Sequence, residues 1–189
     1  MEDKITKESA LKLLKKYINK ESILLHSKES ALVMQGCAKY LSQDEELWYV
    51  TGLLHDLDMQ MIDESYKGHG DVTVKILMDE GYKIDEMNNA ILAHTECLNT
   101  GYKRESVFDF ALCASEQITG IITAYARMRP LRFDGLNANS IKKKLKDKTF
   151  AANVSREFIY DIVKAGIELD VFLDIAIKEI ASMQDEIDF

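Results

Sequence analysis

An adjacent histidine and aspartate, His55 and Asp56, follow the apolar run 51–54. One imidazole and one carboxylate aimed from the same helix end make half of a metal site. The pair also suits an ordinary helix end, where the negative pole of the helix dipole favours histidine, so the weight rests on the other three histidines. His26 lies beside the inward stripe of a helix expected over 22–41, with Ser30 and Val33 as small or apolar neighbours. His69 stands between Gly68 and Gly70 at the start of a helix expected over 71–80. His94 shares one face with Met87, Ala90 and Ile91 in a helix opened by Asp85. Glu116, preceded by Ser115, interrupts the buried stripe of a helix expected from residue 105, where a carboxylate is costly unless paired or coordinated. Each of these residues has a bland alternative: a satisfied core histidine for His26 and a loop residue for His69. Their order along successive helices is what draws them together.

Those helices are legible from composition and period. The chain has 189 residues, 47% of them hydrophobic, enough for the core of one domain. A single proline, Pro130, and nine glycines give too little turn chemistry for an all-β fold, and the fold class expected is all-α, a single-domain helical bundle. Thr6 can open a first helix carrying Ala10, Leu11, Leu13, Leu14, Tyr17 and Ile18 at helical spacing, a packing lid over 1–21. Asp44 caps a helix over 45–55 that delivers the His-Asp pair. Two helices expected over 155–166 and 170–183 read as bundle helices or a dimer surface. The net charge of −8 works against nonspecific binding to a nucleic acid backbone, which rests on Lys and Arg neutralising phosphates. Cys37, Cys97 and Cys113 form no C-x-x-C pair or disulfide framework and point to a reducing interior. No signal-like start and no apolar run long enough to span a bilayer is expected, so the reading is cytoplasmic, with no membrane partner.

In this order, a histidine, a later His-Asp pair and a still later acidic residue resemble the HD superfamily of metal-dependent phosphohydrolases. The resemblance covers roughly 22–126, with 127–189 as a helical extension packed on the same domain. It implies a metal held by His26, His55, Asp56 and Glu116 on a helical bundle. His69 and His94 stand where two-metal members carry two further histidines. Further along, Ile118–Ile122, Arg129–Pro130 and 140–152 look like a bacterial group of HD-domain proteins of unassigned substrate. One departure is Glu116 itself, where the superfamily normally has aspartate; a carboxylate one methylene longer moves the metal or changes its denticity.

The ligand set this resemblance implies carries its own chemistry. Imidazoles and carboxylates without thiolate favour one or two ions of Fe, Mn, Zn, Co or Ni, and suit Mg poorly. Asp56 is expected to bridge, with His26, His55 and Glu116 on one ion and His69 and His94 on the other. Such a pair acidifies a bound water and polarises a phosphoryl oxygen. The expected activity is hydrolysis of a small phosphoester, a nucleotide among the candidates. The alternative is a noncatalytic HD-type binding or regulatory protein that lost turnover with the change to Glu116. Lys67 could meet a phosphate oxygen, though a solvated lysine is the plainer reading, and Asp58 could orient a ligand histidine. The run Lys142, Lys143, Lys144, Lys146 and Lys148, with Arg127, Arg129 and Arg132 upstream, reads first as a solvated face and second as an anion clamp. A homodimer is compatible with the sequence.

Overall fold

A computed structural model describes residues 2, 4–98 and 100–187 of the chain. Among the described residues the secondary structure is helical, with one isolated bridge between Glu2 and Tyr82. The α-helices are α1 (Lys7–Tyr17), α2 (Glu21–Leu41), α3 (Glu45–Leu54), α4 (Asp71–Asp79), α5 (Asp85–Ala93), α6 (Val107–Met128), α7 (Ala138–Lys146), α8 (Arg156–Tyr160) and α9 (Leu169–Ala181). Side chains set several of the starts. Thr6 accepts the Ser9 N–H at α1, and Asp44 accepts those of Glu46 and Leu47, both at 3.0 Å, at α3. Ser106 and Asp109 close a reciprocal capping box at α6, which starts two residues later than the sequence suggests. The helix expected over 155–166 is two pieces, α8 and a 3-10 turn over Asp161–Ala165, ended by Gly166 at φ 81°.

Two apolar clusters flank α2. On one side Leu13 and Leu14 of α1 and Ile18 just after it pack with Leu53, Leu54, Leu77 and Ile91. On the other, Met34 and Cys37 pack with the inner face of α6 and with Phe172, Leu173 and Ile177 of α9. The 22-residue helix α6 corrects one sequence expectation, because by length and composition it is apolar enough to cross a membrane. Its apolar surface is spent inside the protein: 72% of its most hydrophobic window is buried, and it touches α2, α5, α7, α8 and α9. Arg104 ties the turn after α5 to the C-terminal part, with its guanidinium 2.7 Å from Glu96, 3.1 Å from Asp161 and 3.7 Å from the Phe158 ring centroid.

The approach of α2 to α3 matters most for the site, and it rests on Gly52. A Cβ there would lie 2.8 Å from the Ser30 carbonyl oxygen and 2.9 Å from Ala31 Cα, both backbone atoms that cannot rotate away. Alanine is worth about 1 kcal/mol over glycine inside a helix, whereas forcing an extra methyl into a packed contact costs about 1–3 kcal/mol. The second effect wins here. Gly52→Ala is expected to lower stability by up to about 2 kcal/mol, read as a lower urea midpoint at unchanged slope, and to weaken metal uptake by separating the two helices.

Candidate metal centre

Four histidines and one aspartate, distant in sequence, meet at the ends and inner faces of α2, α3, α5 and the loop before α4. His55 and His94 are the C-caps of α3 and α5. The last carbonyls of a helix lack intrahelical partners, and each ring bends back to one of them: His55 Nδ1 donates to the Gly52 carbonyl at 2.8 Å, and His94 Nδ1 donates to that of Ile91. His69 Nδ1 donates to Asp58 Oδ1 at 2.9 Å, and the other oxygen of Asp58 accepts the Gly70 N–H at 2.8 Å. His26 Nδ1 lies 3.0 Å from Thr119 Oγ1. The Thr119 hydroxyl proton is already given to the Glu116 carbonyl at 2.7 Å, so Thr119 accepts and His26 donates.

With every Nδ1 acting as donor, every neutral ring has a bare Nε2. These four nitrogens surround one carboxylate. Asp56 Oδ2 is 3.6 Å from His26 Nε2 and 3.4 Å from His55 Nε2; Oδ1 is 3.5 Å from both His69 Nε2 and His94 Nε2. His26 and His55 face each other at 3.2 Å, and His69 and His94 at 3.0 Å. The donors fall into two triads sharing Asp56: His26, His55 and Asp56, then Asp56, His69 and His94.

Facing lone pairs at such distances repel unless a proton or a metal cation sits between them. Burial holds the His26 and His55 rings neutral, pushing His55 down to about 3. Burial also opposes ionisation of Asp56, but His55, His94 and His26 outweigh it and keep the carboxylate charged. For His94 burial works downward too, yet Asp56 beside it raises the pKa overall. Nδ1 is tied off on every ring and the carboxylate is ionised, which leaves Nε2 and the carboxylate oxygens as the ligand atoms a divalent transition metal takes. The donor set therefore fits a metal, and fits it twice.

Other residues singled out by sequence are placed differently. Glu116 lines the same cavity but belongs to neither triad. Its Oε1 accepts from the Gln117 amide at 2.7 Å, and burial, with the Asp56 charge adding, raises it to about 8 despite His94 and Gln117. Glu116 thus stands beside the His26/His55/Asp56 triad, not within it. Its carboxyl is bonded to Gln117 while it still feels the charges of His94 and Asp56. Lys67 is exposed in the loop and does not line the cavity. The lysine run is on α7 and beyond, with Lys142 paired to Asp170 at 2.8 Å and Lys144 over the rings of Tyr125 and Phe150. Thr119 was not legible as a partner of His26, since nothing in the spacing of 26 and 119 relates them.

Asp58 has a clear consequence. Asn in its place keeps one acceptor but removes the charge that favours a donating Nδ1 on His69. Asp58→Asn is expected to weaken metal binding at the His69/His94 triad by about 10- to 100-fold while sparing the His26/His55 triad, so metal titration changes from two similar sites to one tight and one weak.

No curated protein and no solved structure matches the chain. A family model described as the HD domain matches residues 23–132, more than half of the 189, and with a helical bundle that gathers its histidines around Asp56 the chain belongs to the HD domain family.

Proposed function

We propose that this protein is a metal-dependent phosphohydrolase acting on a small phosphoester. One observation carries the reading: each oxygen of the single carboxylate Asp56 faces a pair of imidazole Nε2 atoms, an arrangement in which Asp56 would be a ligand to two cations. His26 and His55 would hold one ion, His69 and His94 the other, and Asp56 both. When bound, divalent ions there supply Lewis acidity toward a phosphoryl oxygen and toward a water molecule. The chain's own residues do the rest. The Nδ1 contacts to Gly52, Ile91, Asp58 and Thr119 fix ring orientation in advance, so no side-chain ordering is left for the moment of binding. The cavity beside the triads, about 510 Å³, gives a phosphoester a way in.

Glu116 favours a second reading, a noncatalytic binding protein of the same family, because it stands outside both triads. A single experiment separates the two. Purified protein is assayed for bound metal by elemental analysis and for release of phosphate from a panel of phosphoesters with added Mn. The hydrolase reading expects close to two metals per chain and turnover of at least one ester. Metal without turnover on the whole panel, restored by Glu116→Asp, establishes the second reading.

A further inference from the structure

Charge is spread unevenly along this chain. Residues 127–148 hold eight Lys and Arg against Asp134 and Asp147, a net of +6 in a chain whose total is −8, which leaves −14 for the rest. Where that segment begins, the loop after α6 presents Met128 and Leu131, each 66% exposed, with Pro130 exposed between them. These are the two most exposed large apolar side chains among the described residues, and Arg127 and Arg132 are exposed on either side of them.

The loop holds the apolar pair outward by its own bonds. Arg129 folds back and donates to the carbonyls of Arg132 and of Asp134, the latter at 2.7 Å. Arg132 has φ 49°, a left-handed conformation that a long side chain adopts only when its surroundings require it, and Phe133 after it is buried in the core. Arg129 also marks where α7 comes alongside: its guanidinium is 5.8 Å from the Tyr125 ring centroid, and the Lys144 ammonium is 4.7 Å from the same centroid. Ile141 and Leu145 are the buried side of α7, while Lys143, Lys146 and, just after the helix, Lys148 are exposed. Loop and helix together make a basic end with an apolar tip.

We propose that this end is a docking surface for an anionic lipid bilayer, with Met128 and Leu131 entering the interfacial layer and the surrounding cations meeting lipid phosphates. Charge favours that approach, since the +6 end turns toward a negative surface and the acidic remainder turns away. The apolar tip separates lipid from other anionic partners. A nucleic acid offers phosphates and stackable bases, and aliphatic side chains neither pair with the first nor stack on the second; the Tyr125 ring is already taken by Lys144 and Arg129. A protein interface of ordinary size buries roughly 800 Å² on each partner over about 20–30 residues. Two side chains at a loop tip are too few for the apolar centre of such an interface, whereas a bilayer needs only a short apolar insertion backed by charge. No segment crosses the bilayer in this arrangement, so α6 stays in the core. The sequence expectation of no membrane partner concerned spanning segments, and a peripheral contact departs from it.

Flotation of the full chain with vesicles of phosphatidylcholine alone, or of phosphatidylcholine with one third phosphatidylglycerol, tests this. Binding is expected to the anionic vesicles only, and is expected to fall in high salt, which screens the cations. Lys143→Gln and Lys146→Gln are each expected to weaken it about fivefold, and Met128→Ser with Leu131→Ser by about tenfold or more. All four positions are exposed, so far-ultraviolet circular dichroism and the urea midpoint should stay those of the parent. Equal flotation with neutral vesicles, no flotation with either kind, or a Met128→Ser/Leu131→Ser protein that binds as the parent does overturns the proposal. Tighter binding of a DNA oligonucleotide or of poly-glutamate than of the anionic vesicles overturns it as well, by making the occupant a nucleic acid or an acidic protein. None of these outcomes bears on the phosphohydrolase reading, which rests on the triads.

Discussion

Asp56→Ala is expected to empty both triads at once and to lower phosphoester hydrolysis by more than about 100-fold. The floor comes from comparison: losing a residue that merely orients a metal ligand costs about 10- to 100-fold in metal affinity or activity, and Asp56 is a candidate ligand to both ions. Among the described residues no other side chain is shared between the triads, since His26 and His55 belong to one and His69 and His94 to the other. The pattern across variants is therefore more telling than any one value. His55→Ala and His94→Ala should each remove close to one metal per chain, and Asp56→Ala close to two. The effect should not be a loss of fold. Removing the carboxylate deletes a buried charge that is stabilised only by its neighbours, and leaves a cavity that water can fill beside an open pocket. Elemental analysis together with far-ultraviolet circular dichroism checks both parts. Two metals retained by a folded Asp56→Ala protein would refute the shared-carboxylate arrangement.

Glu29→Gln is expected to stabilise the protein above neutral pH by about 3 kcal/mol. Glu29 is buried on α2, one turn after His26, and its Oε1 accepts the Thr123 hydroxyl of α6 at 2.5 Å. Burial raises its pKa to about 7, against the opposing pull of that hydrogen bond and of Arg127. An acid whose folded pKa lies above its unfolded value binds a proton more readily when folded. Its contribution to stability is thus fully present below about 4.5, the unfolded value, and is lost as pH rises to about 7. Glutamine keeps the accepting oxygen for Thr123 and does not titrate. Urea unfolding from pH 4.5 to 8.5 should show the two proteins close together at the acid end and separated at the alkaline end, with slopes unchanged. A gap that is constant across this range would mean that Glu29 does not titrate there.

How much of this was readable beforehand divides along a physical line. His55 and Asp56 declare themselves because they are adjacent and close an apolar helix, and the supporting contacts of His55 and His94 are local: each ring reaches a carbonyl three residues back at a helix end. Asp58 and His69 also lie in one short loop, close enough for the aspartate to be suspected. Glu116 shows the reverse. Its place in the order of acidic residues suggests a ligand, but side-chain direction on α6 is set by packing against α2, α5 and α8, and the carboxyl is held by Gln117. Lys67 likewise sits next to the right residues and still faces solvent. The apolar length of α6 reads equally as a membrane span or a core helix until its neighbours are known.

Sequence alone determined the helical class, the starts of α1 and α3, and the membership of His26, His55, Asp56, His69 and His94 in one ordered set, because period, caps and order are properties of a linear chain. Tertiary structure alone decided that the set splits into two triads around Asp56, that Thr119 turns His26, and that Tyr66 and Asn153 share a cavity with residues far from them in sequence. The physical reason is that ring orientation and the company of a carboxylate depend on contacts between helices, here on the close approach of α2 and α3 at Gly52, and such contacts have no fixed spacing along the chain.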